Sequence, residues 1–399
     1  MQSAVMLKAT TLVRVPALRS TRYALTAVFF VNGIAMGAWS SAVPGIALRL
    51  GLDPESYGFV LGPYAIGAIL SMLMSGWLTT RFGSRRIVPI GGALVALTLL
   101  FPGHAPTMLL LAASVFVLGI CNSVMDIAMN AHATLVERDW GAEIMSTFHS
   151  SYSFGALAGA ALAGVLFDHG FTPNDILFAA MLLILSVVLV AYTRIEDLRP
   201  EPALSQARVR LWTNRKLLLV AALATLAIYC EFGLVEWSYK YLRDVTHATD
   251  ALATLGNGGF ALGMAFSRLV GDSVIRRIGP VRTVAAGAAL SCSGLLIAIL
   301  SHAPLVAMTG FIMAGLGLAN VIPMLYTRAA AVVPTAPGRG VSVCGVIGYM
   351  GAFIEPITIG YVAGHFNQSV GLCLPLAGFV VIGLASATIG RIKPTPHHS

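Results

Sequence analysis

Charge is what this chain of 399 residues has little of: Asp, Glu, Lys and Arg make up only 11% of it, against about a quarter in soluble domains. That excludes a soluble enzyme of this size. The five cysteines, Cys121, Cys230, Cys292, Cys344 and Cys373, all fall inside apolar runs, so no pair stands in an aqueous loop as a disulfide or metal site, and the expectation is five core thiols. No Gly-x-x-x-x-Gly-Lys-Ser/Thr motif is found, which removes direct driving by ATP. Nothing in the chain has the pattern of catalysis, a cofactor or a bound metal. The net charge of +8 is spread over many connections and forms no patch for nucleic acid. The apolar runs do not alternate, which argues against a barrel.

What is present is apolar surface. Hydrophobic residues make up 57% of the chain and the mean hydropathy is +0.82. At about 20 residues per spanning helix, twelve spans use about 240 residues. The runs predict helices over 23–48, 57–80, 87–101, 107–135, 146–167 and 176–192, then over 217–242, 251–275, 283–300, 305–326, 341–364 and 370–389. The fold class is therefore all-α: a polytopic membrane protein of twelve transmembrane helices. With both termini cytoplasmic, twenty-one of the 25 Lys and Arg residues lie in the tails and cytoplasmic connections, and only Arg49, Lys240 and Arg243 lie outside. This is the inside-positive pattern of a cell inner membrane protein.

The connection 194–216 is the one long charged linker, and it separates residues 1–193 from residues 217–399. The two parts repeat one another. His104-Ala105-Pro106 recurs as His302-Ala303-Pro304, Gly119-x-x-Asn122 as Gly317-x-x-Asn320, and Arg81-Phe82-Gly83 as Arg277-Ile278-Gly279. Three matches in order at nearly one offset argue for duplication into two six-helix pseudo-repeats, with a solute site expected between them near mid-membrane.

The segment Gly76-Trp-Leu-Thr-Thr-Arg81-Phe-Gly83-Ser-Arg85-Arg86 resembles the loop signature of the major facilitator superfamily, with Thr80 where that family commonly has Asp. The counterpart in the second half is Arg268-x-x-Gly271-Asp272 followed by Arg276-Arg277-Ile-Gly279. The resemblance implies gating roles for Arg81, Gly83, Arg268, Asp272 and Arg277. A narrower likeness joins Gly119-Ile-Cys-Asn122-Ser-Val-Met-Asp126-Ile-Ala-Met-Asn130 and Phe148-His149-Ser-Ser-Tyr152-Ser-Phe154-Gly155-Ala156 to the fucose-permease-like branch and related uncharacterised inner-membrane permeases. It implies solute and proton symport with Asp126 as the protonatable acid. A competing likeness, Gly155-x-x-x-Gly159-Ala160-x-x-Ala163-Gly164, is similar to the antiporter motif of drug exporters. Close helix packing is the favoured account of it, since importers and exporters alike need such a stripe.

Acidic groups within spans are costly, at about 2.5 to 3.5 kcal/mol on insertion scales, and need a purpose. Asn122, Asp126 and Asn130 recur every fourth residue and form one polar stripe on the fourth helix. Asp126 is expected to face His149 and to exchange a proton with it. Glu231, about 15 residues into the seventh span, lies near the bilayer centre and is the second coupling candidate. Glu236 is expected to pair with Lys240 at i+4. Glu355 precedes Pro356, where a kink is expected. Asn32, Asn122, Asn130, Tyr152, Trp237, Asn320 and Glu355 are candidate solute contacts. Trp39 and Tyr326 lie on cavity-lining helices but are as readily interface anchors, and Asn257 has no spacing to single it out.

The expected function is secondary active transport of a small polar solute by alternating access, coupled to protons through Asp126, Glu231 and His149. The expected partners are the solute, protons and the bilayer, with the chain a monomer. The alternatives are a proton-coupled drug or metabolite antiporter and a non-transporting receptor of the same fold.

Overall fold

A computed structural model describes residues 2–141, 144–198, 214–333 and 337–391. Among them there is no strand. Twelve long helical segments follow one another: α1 (Gln2–Arg49), α2 (Pro54–Phe82), α3 (Ser84–His104), α4 (Met108–Trp140), α5 (Met145–Asp168) and α6 (Pro173–Tyr192), then α7 (Arg215–Asp244), α8 (Leu255–Ile278), α9 (Pro280–Leu300), α10 (Pro304–Val332), α11 (Arg339–His365) and α12 (Gln368–Ala387). Ten of these are long and apolar enough to cross a membrane. The other two, α2 and α8, hold equivalent places in the two sets of six.

Helix ends are set by local chemistry. Asp53 caps α2 by accepting the Ser56 N–H at 2.8 Å. That bond holds its carboxyl below the usual range. Thr172 and Asp175 form a reciprocal capping box at α6. Glu137 accepts the N–H groups of Ile144 and Met145 at 2.7 and 2.8 Å, which satisfies the start of α5. Gly83 and Gly279 end α2 and α8 at φ of 82° and 81°, a left-handed conformation that favours glycine. Each donates its N–H back into the helix it closes, Gly83 to Thr79 at 3.0 Å and Gly279 to Ile275 at 2.9 Å. The duplicated Arg-x-Gly step is thus a duplicated backbone device.

Packing repeats as well. α1 packs on α5 and α6, α2 on α4, and α3 on α4 and α6; α7 packs on α11 and α12, α8 on α10, and α9 on α10 and α12. Adding six to each number in the first group gives the second. The main contacts between the sets, α2 with α11 and α5 with α8, exchange under the same operation. Small residues permit these approaches. A Cβ at Gly155 would overlap the Phe30 carbonyl oxygen, and one at Gly159 would lie 2.5 Å from that of Ile34. Gly155 and Gly159 of the antiporter-like stripe of α5 are therefore occupied in packing against α1.

Three expectations need correction. α1 is already helical at Gln2, well ahead of the expected start at residue 23. α11 is interrupted at Tyr349, between Pro337–Gly348 and Met350–His365, and Pro356 lies inside the second piece; the small residues Gly345 and Gly348, and not the proline, mark the break. All five cysteines are free, but Cys292 is half-buried and Cys373 is exposed. The side chain of Asp272 and residues 199–213 of the linker lie outside the described residues.

Candidate functional site

The polar groups of the bundle centre come from both sets of helices. On α4, Asn130 donates its amide to Asp126 twice, to Oδ1 at 3.1 Å and to the carbonyl at 2.8 Å. One turn earlier Asn122 donates to the Tyr64 hydroxyl of α2 at 2.7 Å, and that hydroxyl faces the Met36 sulfur of α1 at 3.6 Å. Tyr64, Tyr152, Tyr326 and Tyr349 all lie within electrostatic reach of the Asp126 carboxylate. These tyrosines come from α2, α5, α10 and α11, one from each. Asp126, Tyr152, Glu231, Tyr326 and Tyr349 remain partly exposed, as groups lining an opening at this depth would be.

Glu231 of α7 pairs with Arg268 of α8 at 3.6 Å, with side chains 21% and 14% exposed. Arg268 also donates to the Ser153 hydroxyl of α5 at 2.8 Å. Arg268 lies in mid-helix, where it answers Glu231 and reaches across to the other set. Breaking a fully buried pair costs about 3 to 5 kcal/mol, and the partial exposure here reduces that. Arg268→Ala is expected to lower the melting temperature of the purified protein by several degrees, and adding Glu231→Gln is expected to recover about half of the loss, because the two groups are coupled. A thermal-shift series on the single and double variants checks this.

His149 does not meet Asp126. Among the described residues no hydrogen bond or ion pair joins them; His149 lies edge-on to Phe29 at 5.7 Å, is exposed and stands in the field of Arg268. Asp126 is occupied by its own-helix neighbour Asn130 instead. Asn320 donates to the Ser267 hydroxyl at 3.0 Å with its carbonyl against Gly271, so it fastens α10 to α8. Asn32 is buried, with its amide 3.9 Å from the Met129 sulfur and its carbonyl without a donor. Arg81 and Arg277 are exposed at the far end.

A second group lies toward the face that carries the α1–α2 and α7–α8 connections, termed the outer face on the charge distribution. Here Trp39, Leu61, Tyr64, Phe232, Glu236 and Glu355 line an enclosed cavity of about 10 Å³, hardly more than one water needs. Tyr57 of α2 donates to the Glu236 carbonyl at 3.3 Å and meets the Trp237 ring edge-on at 5.3 Å. Trp237 and Glu355 are both 1% exposed. They belong to this closed seam and not to the partly exposed chamber. Glu236 does not pair with Lys240, whose ammonium bonds Asp244 at 2.6 Å and lies over the Tyr57 ring at 5.7 Å. Asn257 joins Ser40 and Ser41 of α1, a cross-set link with no signal in spacing. Tyr64 and Tyr349 were likewise invisible in the sequence, because a tyrosine on an apolar helix has the same pattern whether it faces lipid or a chamber.

The Major Facilitator Superfamily profile matches residues 25–356. The chain is 29% identical to an uncharacterised MFS-type transporter of Yersinia pestis, covering 92% of this chain and 94% of the relative. It is 30% identical to the membrane protein MosC of Rhizobium meliloti, covering 94% and 92%. Among solved structures it superposes on a bacterial homologue of the human lysosomal transporter Spinster in an inward-facing, unoccupied conformation, with a TM-score of 0.75 at 14% identity over 96% of this chain and 99% of that one. It also superposes on the nucleoside transporter NupG, with a TM-score of 0.72 at 14% identity over 94% and 100%. At these identities the superpositions speak for the fold. The duplicated six-helix packing, the sealed outer seam and the polar chamber between the sets thus stand on a matching profile and full-length relatives: this chain is a multi-pass membrane transporter of the major facilitator superfamily.

Proposed function

We propose that the protein moves a small polar solute across the inner membrane by alternating access, in symport with protons, with residues 1–193 and 217–399 rocking about the chamber and both termini in the cytoplasm. One observation carries the reading: Asp126 sits in mid-helix, bonded to Asn130 of its own helix and partly exposed, with no cation bonded to it among the described residues. A carboxylate so placed is costly unless it takes up and gives back a proton during the cycle. Glu231, answered by Arg268, is the second coupling acid. His149, exposed on the inner side, is the exchange point with cytoplasmic water. Tyrosine hydroxyls and the amides of Asn122 and Asn130 suit a hydroxylated solute, with their donors and acceptors replacing its water shell. The cross-set contacts described here run from the outer face to the level of Arg268, which favours an inward-open state.

Within the stripe that resembled an antiporter motif, Gly155 and Gly159 pack on α1 while Gly164 faces Thr254, an arrangement for which close helix packing is a sufficient reason. Proteoliposomes under an inward proton gradient are expected to accumulate a hydroxylated solute from a panel of sugars, cyclitols and nucleosides, and to stop when a protonophore collapses the gradient. Proton release on adding solute would instead establish antiport. Solute binding with no flux in either direction would leave a receptor.

A further inference from the structure

We propose that Glu236 and Glu355 form a proton-binding site distinct from Asp126 and Glu231, and that its occupancy latches the outer seam shut. The proposal rests on the alternating-access reading above. Its ground is where the two carboxyls lie. Both line the same enclosed cavity. Neither Glu355 oxygen nor Glu236 Oε2 has a partner at hydrogen-bond geometry, and the group that does interact with the Glu355 carboxyl is the buried, neutral Trp237 N–H.

The groups facing the pair offer no countercharge. From α2 come the hydroxyls of Tyr57 and Tyr64, with Tyr57 already donating to the Glu236 carbonyl. From α1 comes the Trp39 ring. On α7, Tyr229 donates or accepts with Thr358 at 2.8 Å, Cys230 reaches the Pro375 carbonyl at 3.4 Å, and Tyr239 donates to Asp250 at 3.0 Å. Lys240 is held by Asp244. Glu355 is 1% exposed and Glu236 is half-buried; two carboxylates lining one cavity this small without a cation would repel each other and be poorly solvated, which favours their neutral forms when the seam is closed.

The seam that seals them is built on Glu355's own neighbour. A Cβ at Gly58 would overlap the Pro356 carbonyl oxygen, and Gly360 lies against Pro54 and Gly58. Parting α2 from α11 at this contact therefore opens the cavity beside Glu355. The chemistry is one of proton exchange with water: each carboxylate takes a proton from hydronium at the outer face before closing, and returns it to outer water after opening. The sealed form binds more protons than the open one, so acid favours closure and alkali favours opening.

The test uses full-length protein in nanodiscs with Cys373→Ser and spin labels on Glu55→Cys and Phe366→Cys, exposed positions on the two sides of the seam. Between about pH 5.5 and about pH 8.5 the population with a long label distance is expected to rise about tenfold or more. The pair Glu236→Gln with Glu355→Gln, neutral at every pH, is expected to stay closed throughout, and either single variant to show a shallower rise. A pH response that survives in the double variant, or its absence in the parent, overturns the proposal. Closure that follows added sodium ions at fixed pH, and not protons, also overturns it by assigning the site to a metal cation. Asp126→Asn separates this inference from the transport reading: it is expected to abolish gradient-driven uptake while leaving the seam's pH response intact. A response lost with Asp126 would place the proton there instead.

Discussion

Asp126→Asn is expected to abolish proton-driven accumulation of solute in proteoliposomes, with a loss of about a hundredfold or more in the concentrated steady state, while exchange of labelled for unlabelled solute across the same membranes continues. The asparagine keeps the size of the carboxylate and one acceptor oxygen, so Asn130 retains its partner. What disappears is the capacity to alternate between charged and neutral forms, and with it the link between cargo and proton. Exchange needs only the loaded carrier to reorient and does not require proton release. A variant that still concentrates solute against its gradient would remove Asp126 from the mechanism. Loss of both uptake and exchange would indicate a solute-binding or structural role instead.

The second large effect is expected at Gly58. Its α-carbon side is filled by the Pro356 carbonyl, so any side chain there collides with backbone, which cannot rotate away. Gly58→Val is expected to hold the outer seam open and to cut turnover about tenfold or more while leaving the protein monodisperse, because the collision is present only in the outer-closed state. Gly62→Ala, one turn along α2, is the control: its Cβ would sit 3.5 Å from the Ile357 side chain, an ordinary contact. Turnover should stay near the parent value. If Gly58→Val transports normally, α2 and α11 do not form the seam in the working cycle. Equal loss in both variants would mean that the α2–α11 interface matters for stability more than for gating.

Much of the architecture was readable from one sequence because the bilayer makes apolar length a direct signal of helix number. The recurrence of Arg81-x-Gly83 as Arg277-x-Gly279 carried into structure as paired left-handed glycines at the ends of α2 and α8. The stripe of Asn122, Asp126 and Asn130 was legible because one period, every fourth residue, fixes one helix face. What failed were pairings chosen by reach along a helix. Lys240 has acids at i−4 and i+4, and spacing favours neither; the bundle settles on Asp244 and leaves Glu236 in the seam. Arg268 and Glu231 were each noticed, but nothing in their numbering brings the middle of α8 to the middle of α7. His149 and Asp126 have matching depth, and depth says nothing of azimuth.

The sequence alone determined that the chain is built of long apolar helices, how they repeat, and which acids lie within them, since those properties follow from composition and period along a single axis. Tertiary structure decided which of those acids finds a cation, which is bonded within its own helix and which is sealed without a cation. The physical reason is that hydrogen bonds and ion pairs are won within about 3 to 4 Å, and distances of that order between neighbouring helices are set by where glycines let backbones touch.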